Sequence, residues 1–183
     1  LSQTPVYSFL IALLELHTHG FNFKSGRYTF QSVVTLLKHP YTRQLTGQAE
    51  LLEKELTGNN RFYPLPGELG NDEFLTRLFT PLSGNLNLCI RLSETLQQVA
   101  GIYQTNTSGT GDTDAFSQLY RESLFKAYTT SNRFRTLIEE DELTVQPETF
   151  RRLLVKFLSA TNIPFHGEPA IGMQVMGVLE TRN

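Results

Sequence analysis

Arg133, Arg135, Arg151, Arg152 and Lys156 are the side chains of this 183-residue chain whose type and spacing best fit a chemical task. Arg151, Arg152 and Lys156 fall on the helix face opposite Phe150, Leu153 and Phe157. Arg133 and Arg135 stand near the end of another helix. Cations so placed hold phosphate oxygens without reading bases. The competing expectation is a solvated face on which they pair with Glu139 or Glu148. Glu139, Glu140, Asp141 and Glu142 could in principle hold a magnesium ion, but the same run reads as the solvated end of a helix.

The histidines and glycines point to less. His17 and His19 are two positions apart, on different faces of a helix, whereas helical metal pairs need a spacing of about three or four. His39 precedes Pro40 and reads as a cap. His166 and Glu168 share the turn PFHGEP. Such a pair can transfer a proton, yet no nucleophile or third member stands near it. Gly109-Thr110-Gly111-Asp112 lacks the lysine of a phosphate loop and follows no apolar strand, so it reads as a flexible loop. No Gly-x-Ser-x-Gly elbow occurs.

Composition narrows the classes. The length suits one domain with a real core or two small lobes. The formal net charge is −2 and the isoelectric point about 6.1, whereas a free-standing nucleic-acid binder is usually basic. Any such contact must therefore be a local patch. Cys89 is the only cysteine, so no internal disulfide can form, which fits a reducing cytoplasm. No signal peptide is visible, and no apolar run approaches the length of a membrane span.

Helical periodicity dominates the elements that must position these residues. Thr4 and Pro5 start a helix that Gly20 can end, with Val6, Leu10, Leu13 and His17 on one face. Phe30, Val33, Val34 and Leu37 mark a second, closed by Pro40. Leu45, Ala49, Leu52 and Leu56 mark a third over residues 46–56, stopped by Gly58-Asn59-Asn60. Pro64, Pro66, Gly67 and Gly70 make an irregular connector. Asn71 reads as the cap of a helix over 72–79 and Asn85 as the cap of the next. That helix carries the seam Cys89, Leu92, Leu96, Val99 and Tyr103. Residues 105–113 read as a surface loop. The longest helix follows over 114–140, with Phe116, Tyr120, Ser123, Ala127, Thr130, Phe134 and Leu137 inward. Its small central residues predict a closely crossing partner. Pro147 opens the last helix, with Phe150, Leu153, Leu154, Phe157 and Leu158 inward. Met173, Val175, Met176, Val178 and Leu179 then form an apolar run that fits a buried strand. Glu180, Thr181 and Arg182 follow where that strand ends, a position where ligands bind in open α/β sheets.

Residues 164–183, PFHGEPAIGMQVMGVLETRN, resemble the approach to motif V of UvrD/RecB-like superfamily 1 helicases. They are most similar to the AddB-like helicase–exonuclease proteins of bacterial double-strand-break repair, a PD-(D/E)XK nuclease family. The pattern Phe-x-x-Val-x-x-Leu-Leu-Lys-His-Pro-Tyr-Thr over residues 30–42 resembles a helix of the same proteins. The family's Leu-Asp-Phe or Leu-Glu-Phe element after Glu-Thr-Arg is missing here. The chain also begins without Met and stops at a strand end, so it reads as a segment of a longer protein.

The resemblance implies a mainly α, irregular multi-helix domain with a short C-terminal β element. This would be the accessory 2B-like subdomain inserted before motif V. Residues 1–161 would form the helical accessory domain, and residues 162–183 the turn and strand leading into motif V of the motor. Thr181 and Arg182 would touch the DNA backbone. The parent would be an exonuclease- or helicase-like repair enzyme, its partners DNA, its own motor and nuclease domains, and a helicase–nuclease subunit. ATP and magnesium would belong to that parent, with no cofactor in this segment. A helical protein-interaction module without nucleic-acid contact is the alternative, supported by the acidic isoelectric point and the heptad-like seams. Purified chain is expected to show neither ATPase nor nuclease activity, since phosphate loop and carboxylate metal cluster are both missing from the sequence. Magnesium-dependent DNA cleavage abolished by one substitution within the chain would contradict this.

Overall fold

The structure, a computed structural model, describes residues 1–105 and 115–163. The chain is mainly α, and the described residues contain one small antiparallel sheet. Helix α1 (Pro5–Glu15) starts as expected, with Pro5 in its first turn and Thr4 Oγ1 accepting from the Tyr7 amide. It buries Val6, Phe9, Leu10, Ala12, Leu13 and Leu14, more than one stripe, because it is the central helix. It packs against α2 (Phe30–Leu37), α6 (Asn85–Thr105), α7 (Ala115–Glu139) and α8 (Pro147–Ala160).

Helical winding ends at Gly20 as expected, but its last five residues are not regular α-helix. Regular winding stops at Glu15, and Leu16–Gly20 forms a π turn. Such turns are rare and cluster at functional sites. A Cβ at Gly20 would lie 2.8 Å from Ser32 Cβ, so only glycine allows this approach to α2. A short hairpin follows, absent from the sequence reading: β1 (Phe21–Asn22) pairs with β2 (Arg27–Tyr28), Phe21 opposite Tyr28 and Asn22 opposite Arg27. Asn22 Oδ1 accepts from the Lys24 and Ser25 amides, and Gly26 takes φ +67°. The Pro64 carbonyl accepts from the Tyr28 amide and the Phe62 carbonyl from the Phe30 amide. The connector is thereby tied to the hairpin.

The expected third helix is present as α4 (Ala49–Gly58), and a further short helix that the sequence did not announce precedes it. His39 Nδ1 accepts from the Tyr41 amide, so Pro40 both ends α2 and opens α3 (Pro40–Leu45). Thr46 is extended (φ −147°), and α4 then buries Ala49, Leu52 and Leu56. Asp72, not Asn71, caps α5 (Glu73–Leu78): its carboxylate accepts from the Leu75 amide and the Thr46 hydroxyl. Asn85 is the first residue of α6, and its side-chain amide donates to the Val145 carbonyl at 2.8 Å. That bond ties the lead-in of α8 to the start of α6.

Helices α6 and α7 make the most extensive contact in the fold. Ser93 Oγ bonds Asn132 Oδ1 at 3.0 Å and Gln97 Nε2 bonds the Tyr128 hydroxyl at 2.9 Å. One number rises as the other falls, so the pair is antiparallel. Cys89, Leu92, Leu96 and Val99 are buried on α6, and Ser123, Ala127, Ser131 and Phe134 on α7. Burial pushes the Cys89 thiol up to about 12, so it is an inert core residue. Phe150, Leu154 and Leu158 of α8 are buried as expected, but Phe157 is 53% exposed. It covers Phe134 edge-on at 5.3 Å rather than entering the core. The expected C-terminal β element, the expected turn and strand beyond Ile163, the part of the expected 105–113 loop after Thr105 and the Phe116 side chain lie outside the described residues.

His17 is buried, as its helical position suggested, and both its ring nitrogens lack a hydrogen-bond partner. Burial, aided by the Arg91 guanidinium, lowers its pKa to about 4. The unfolded histidine titrates near 6.5, so the unfolded chain binds the extra proton between those values. The stability this residue contributes is complete above about pH 6.5 and is lost as pH falls towards 4. The full effect is roughly 3 kcal/mol. Urea unfolding of His17→Leu should therefore lose less stability between pH 7 and pH 4 than the parent chain. A difference between the two proteins that stays constant over that window would refute the assignment.

Candidate nucleic-acid interface

Arg133 and Arg135 lie on α7, and Arg151, Arg152 and Lys156 on α8, which packs against it. Phe134 meets Phe150 at 5.6 Å and Phe157 at 5.3 Å, both nearly perpendicular. This aromatic contact fixes α8 against the end of α7. The α8 face turned from the core then exposes Arg152, Lys156 and Phe157.

Glu148 organises most of the charge. Arg151 bonds it through two nitrogens, at 3.2 and 3.3 Å, and Arg152 Nε donates to it at 3.0 Å. His19 Nε2 lies 3.0 Å from the same carboxylate, and His19 Nδ1 lies 3.2 Å from Glu15. Arg151 also reaches Glu15 at 3.7 Å. The Arg151 hydrogen bond, joined by Arg152 and His19, holds the Glu148 carboxyl down to about 2. It stays ionised throughout the physiological range. Arg135 Nε donates to Glu139 at 2.9 Å, which raises the Arg135 pKa.

The pairing expected as the alternative to phosphate binding is thus present for Arg135, Arg151 and Arg152. Arg133 and Lys156 are exposed, with no acidic partner among the described residues. Thr181 and Arg182 lie outside the described residues, as do the His166–Glu168 turn and the Gly109–Asp112 cluster. The acidic run forms the end of α7. Asp141 takes φ +58° and accepts from the Thr144 hydroxyl, while the Glu142 and Leu143 amides bond the Leu137 carbonyl. These turns satisfy the last carbonyls of the helix. Among the described residues no three His, Cys, Asp or Glu side chains come together to hold a metal ion. None of the described helices is long and apolar enough to cross a membrane.

His19 was weighed in the sequence only as a metal ligand. The structure places it, half exposed, as a bridge between two carboxylates of separate helices. The Glu148–Arg151–Arg152 spacing signalled the local pairs, but nothing in it signalled Glu15 or His19. No protein-family model, no curated protein and no solved structure matches the chain.

Removing Glu148 should unmask two arginines. Glu148→Gln is expected to elute from heparin at higher salt than the parent chain, and Glu139→Gln, which frees Arg135, to shift in the same direction by less. Unchanged elution of both variants would mean that these ion pairs do not restrain the cations in solution.

Proposed function

We propose that this chain is a non-catalytic helical accessory segment of a bacterial helicase–exonuclease-like protein of DNA double-strand-break repair. It positions DNA or neighbouring subdomains of its parent in the cytoplasm. The sequence of residues 164–183, ending in Glu180-Thr181-Arg182, carries this reading. The mainly α body that precedes it supports the reading, because an inserted accessory subdomain has that character and that position in the chain. ATP, magnesium and the nuclease chemistry would reside in the parent's motor and nuclease domains. A helicase–nuclease subunit would be the partner.

The electrostatics bound what the segment does by itself. Arg133 and Lys156 have no acidic partner among the described residues, while Arg135, Arg151 and Arg152 must first leave carboxylates. Binding through so few cations, on a chain of net charge −2, is weak and sequence-independent. The second reading, a protein-interaction module, is favoured by that same neutralised face and by exposed Phe125 and Phe157.

Fluorescence anisotropy with a duplex across a salt series separates the two. The nucleic-acid reading expects weak affinity that falls steeply with salt. Arg133→Ala with Lys156→Ala should flatten the log–log salt slope by about 1 to 2. A sequence preference, or tight binding indifferent to salt, would contradict it. No binding at roughly 50 mM salt by either the parent chain or Glu148→Gln would favour the protein-interaction reading.

A further inference from the structure

A cavity of about 510 Å³ opens between the later turns of α6 and the earlier turns of α7. Gln97, Ala100 and Tyr103 form one stripe of α6, and Arg121, Leu124, Phe125 and Tyr128 face them from one stripe of α7. The hollow has a local cause. Ala100 is the small member between large side chains, and beside it Gly101 has open space where a Cβ would stand.

Two hydrogen bonds cross between the helices here. The Tyr128 hydroxyl accepts from Gln97 Nε2 at 2.9 Å, and the Tyr103 carbonyl accepts from Arg121 Nη2 at 3.3 Å. The crossings lie about 10 Å apart along the helices. Space of that length suits a ring system rather than an extended chain, and the volume falls within the roughly 300 to 1,000 Å³ of small-molecule sites.

The wall chemistry narrows the ligand. Phe125 is 60% exposed, Tyr103 and Tyr128 are half-buried, and Leu124 adds apolar surface between them. A flat apolar body that covers the Phe125 ring removes it from water. Among the described lining residues Arg121 alone carries a charge. Its guanidinium has five N–H donors, one of which serves the Tyr103 carbonyl. That fork matches a carboxylate through two parallel bonds. A single cation compensates a single negative charge, whereas a dianion would be left half paired. The Tyr128 hydroxyl, already accepting from Gln97, keeps its own hydrogen to donate.

We propose that this cavity binds a small aromatic monocarboxylate, its ring against Phe125 and Tyr128 and its carboxylate on Arg121. The site uses none of the α8 cations, so it stands or falls apart from the DNA reading.

The test is titration of the full ¹⁵N-labelled chain with indole-3-acetate, indole-3-acetamide and acetate, followed by amide shifts. Indole-3-acetate should move the amides around Ala100 and Leu124 saturably, with a roughly millimolar dissociation constant suited to so small a ligand. The acetamide and acetate should bind at least about tenfold more weakly, one lacking the charge and the other the ring. Arg121→Met should lose about tenfold in affinity, and Arg121→Lys, which keeps the charge without the fork, should lose less. Phe125→Ala, at an exposed position, should weaken binding with the fold intact. Ala100→Phe, which fills the hollow, should abolish it. No saturable shift at about 20 mM indole-3-acetate overturns the proposal. So do equal affinities for the acid and its amide, shifts that map elsewhere, or unchanged affinity in folded Arg121→Met.

Discussion

The fit between α6 and α7 is the constraint on which the rest of this structure depends. Ser123, Ala127 and Ser131 repeat every fourth residue along α7 and are all fully buried. Small side chains at that spacing form one stripe and let neighbouring helices approach closely. Opposite them α6 supplies Cys89, Leu92, Leu96 and Val99, each at 1% exposure or less. Helix α1 packs on both, with Val6, Phe9, Leu10 and Leu13 wholly buried. Each such large side chain contributes about 1.5 to 3 kcal/mol. The Ser93–Asn132 and Gln97–Tyr128 bonds add little energy but fix the register of α6 against α7. A slip along it would break both at once and swing the small stripe away from its neighbours.

That register determines where charge can appear. Phe134 is placed by α7, and Phe150 and Phe157 pack on it. The outward face of α8 follows from those contacts. Glu148, Arg151 and Arg152 then meet because they lie three and four residues apart on one helix. His19 and Glu15 join them because α1 and the π turn run beside α8. An acidic isoelectric point and a candidate phosphate surface are therefore compatible in one chain. The cations are real, and most are held by carboxylates of their own neighbourhood.

Much of this was legible in the sequence, where local pattern and tertiary demand agree. Thr4-Pro5 at the start of α1, the seam of α6 and the small centre of α7 were all readable from spacing. The hairpin was not, because strands of two residues carry no alternation to detect. Helix α3 was hidden because Pro40 stops one helix and opens the next, and only the first role is visible in an apolar count. Asn71 and Asp72 are both good caps, and the choice between them was made by the Thr46 hydroxyl, a contact from elsewhere in the chain. Phe157 has the right spacing for the core, yet it lies edge-on over Phe134 and stays half exposed among the described residues. At the site, the α8 pairs followed from spacing. The roles of His19 and Glu15 required knowing that α1 and α8 touch.

Ion pairing on α8 does not by itself remove DNA from consideration. Arg152 is 75% exposed in its side chain, and Glu148 39%. Exposed pairs of this kind are typically worth about 0 to 1 kcal/mol each. A duplex approaching the same face offers many phosphates and releases condensed counterions as each is neutralised. Exchange of one carboxylate for one phosphate is then nearly neutral in direct energy, and the counterion term decides its sign. That term shrinks as salt rises, so the same face would engage a polyanion at low salt and close on Glu148 and Glu15 at high salt. His19 strengthens the closed arrangement whenever it carries a proton, since it then adds a positive charge between the two acids. The face is tuned by its own acids.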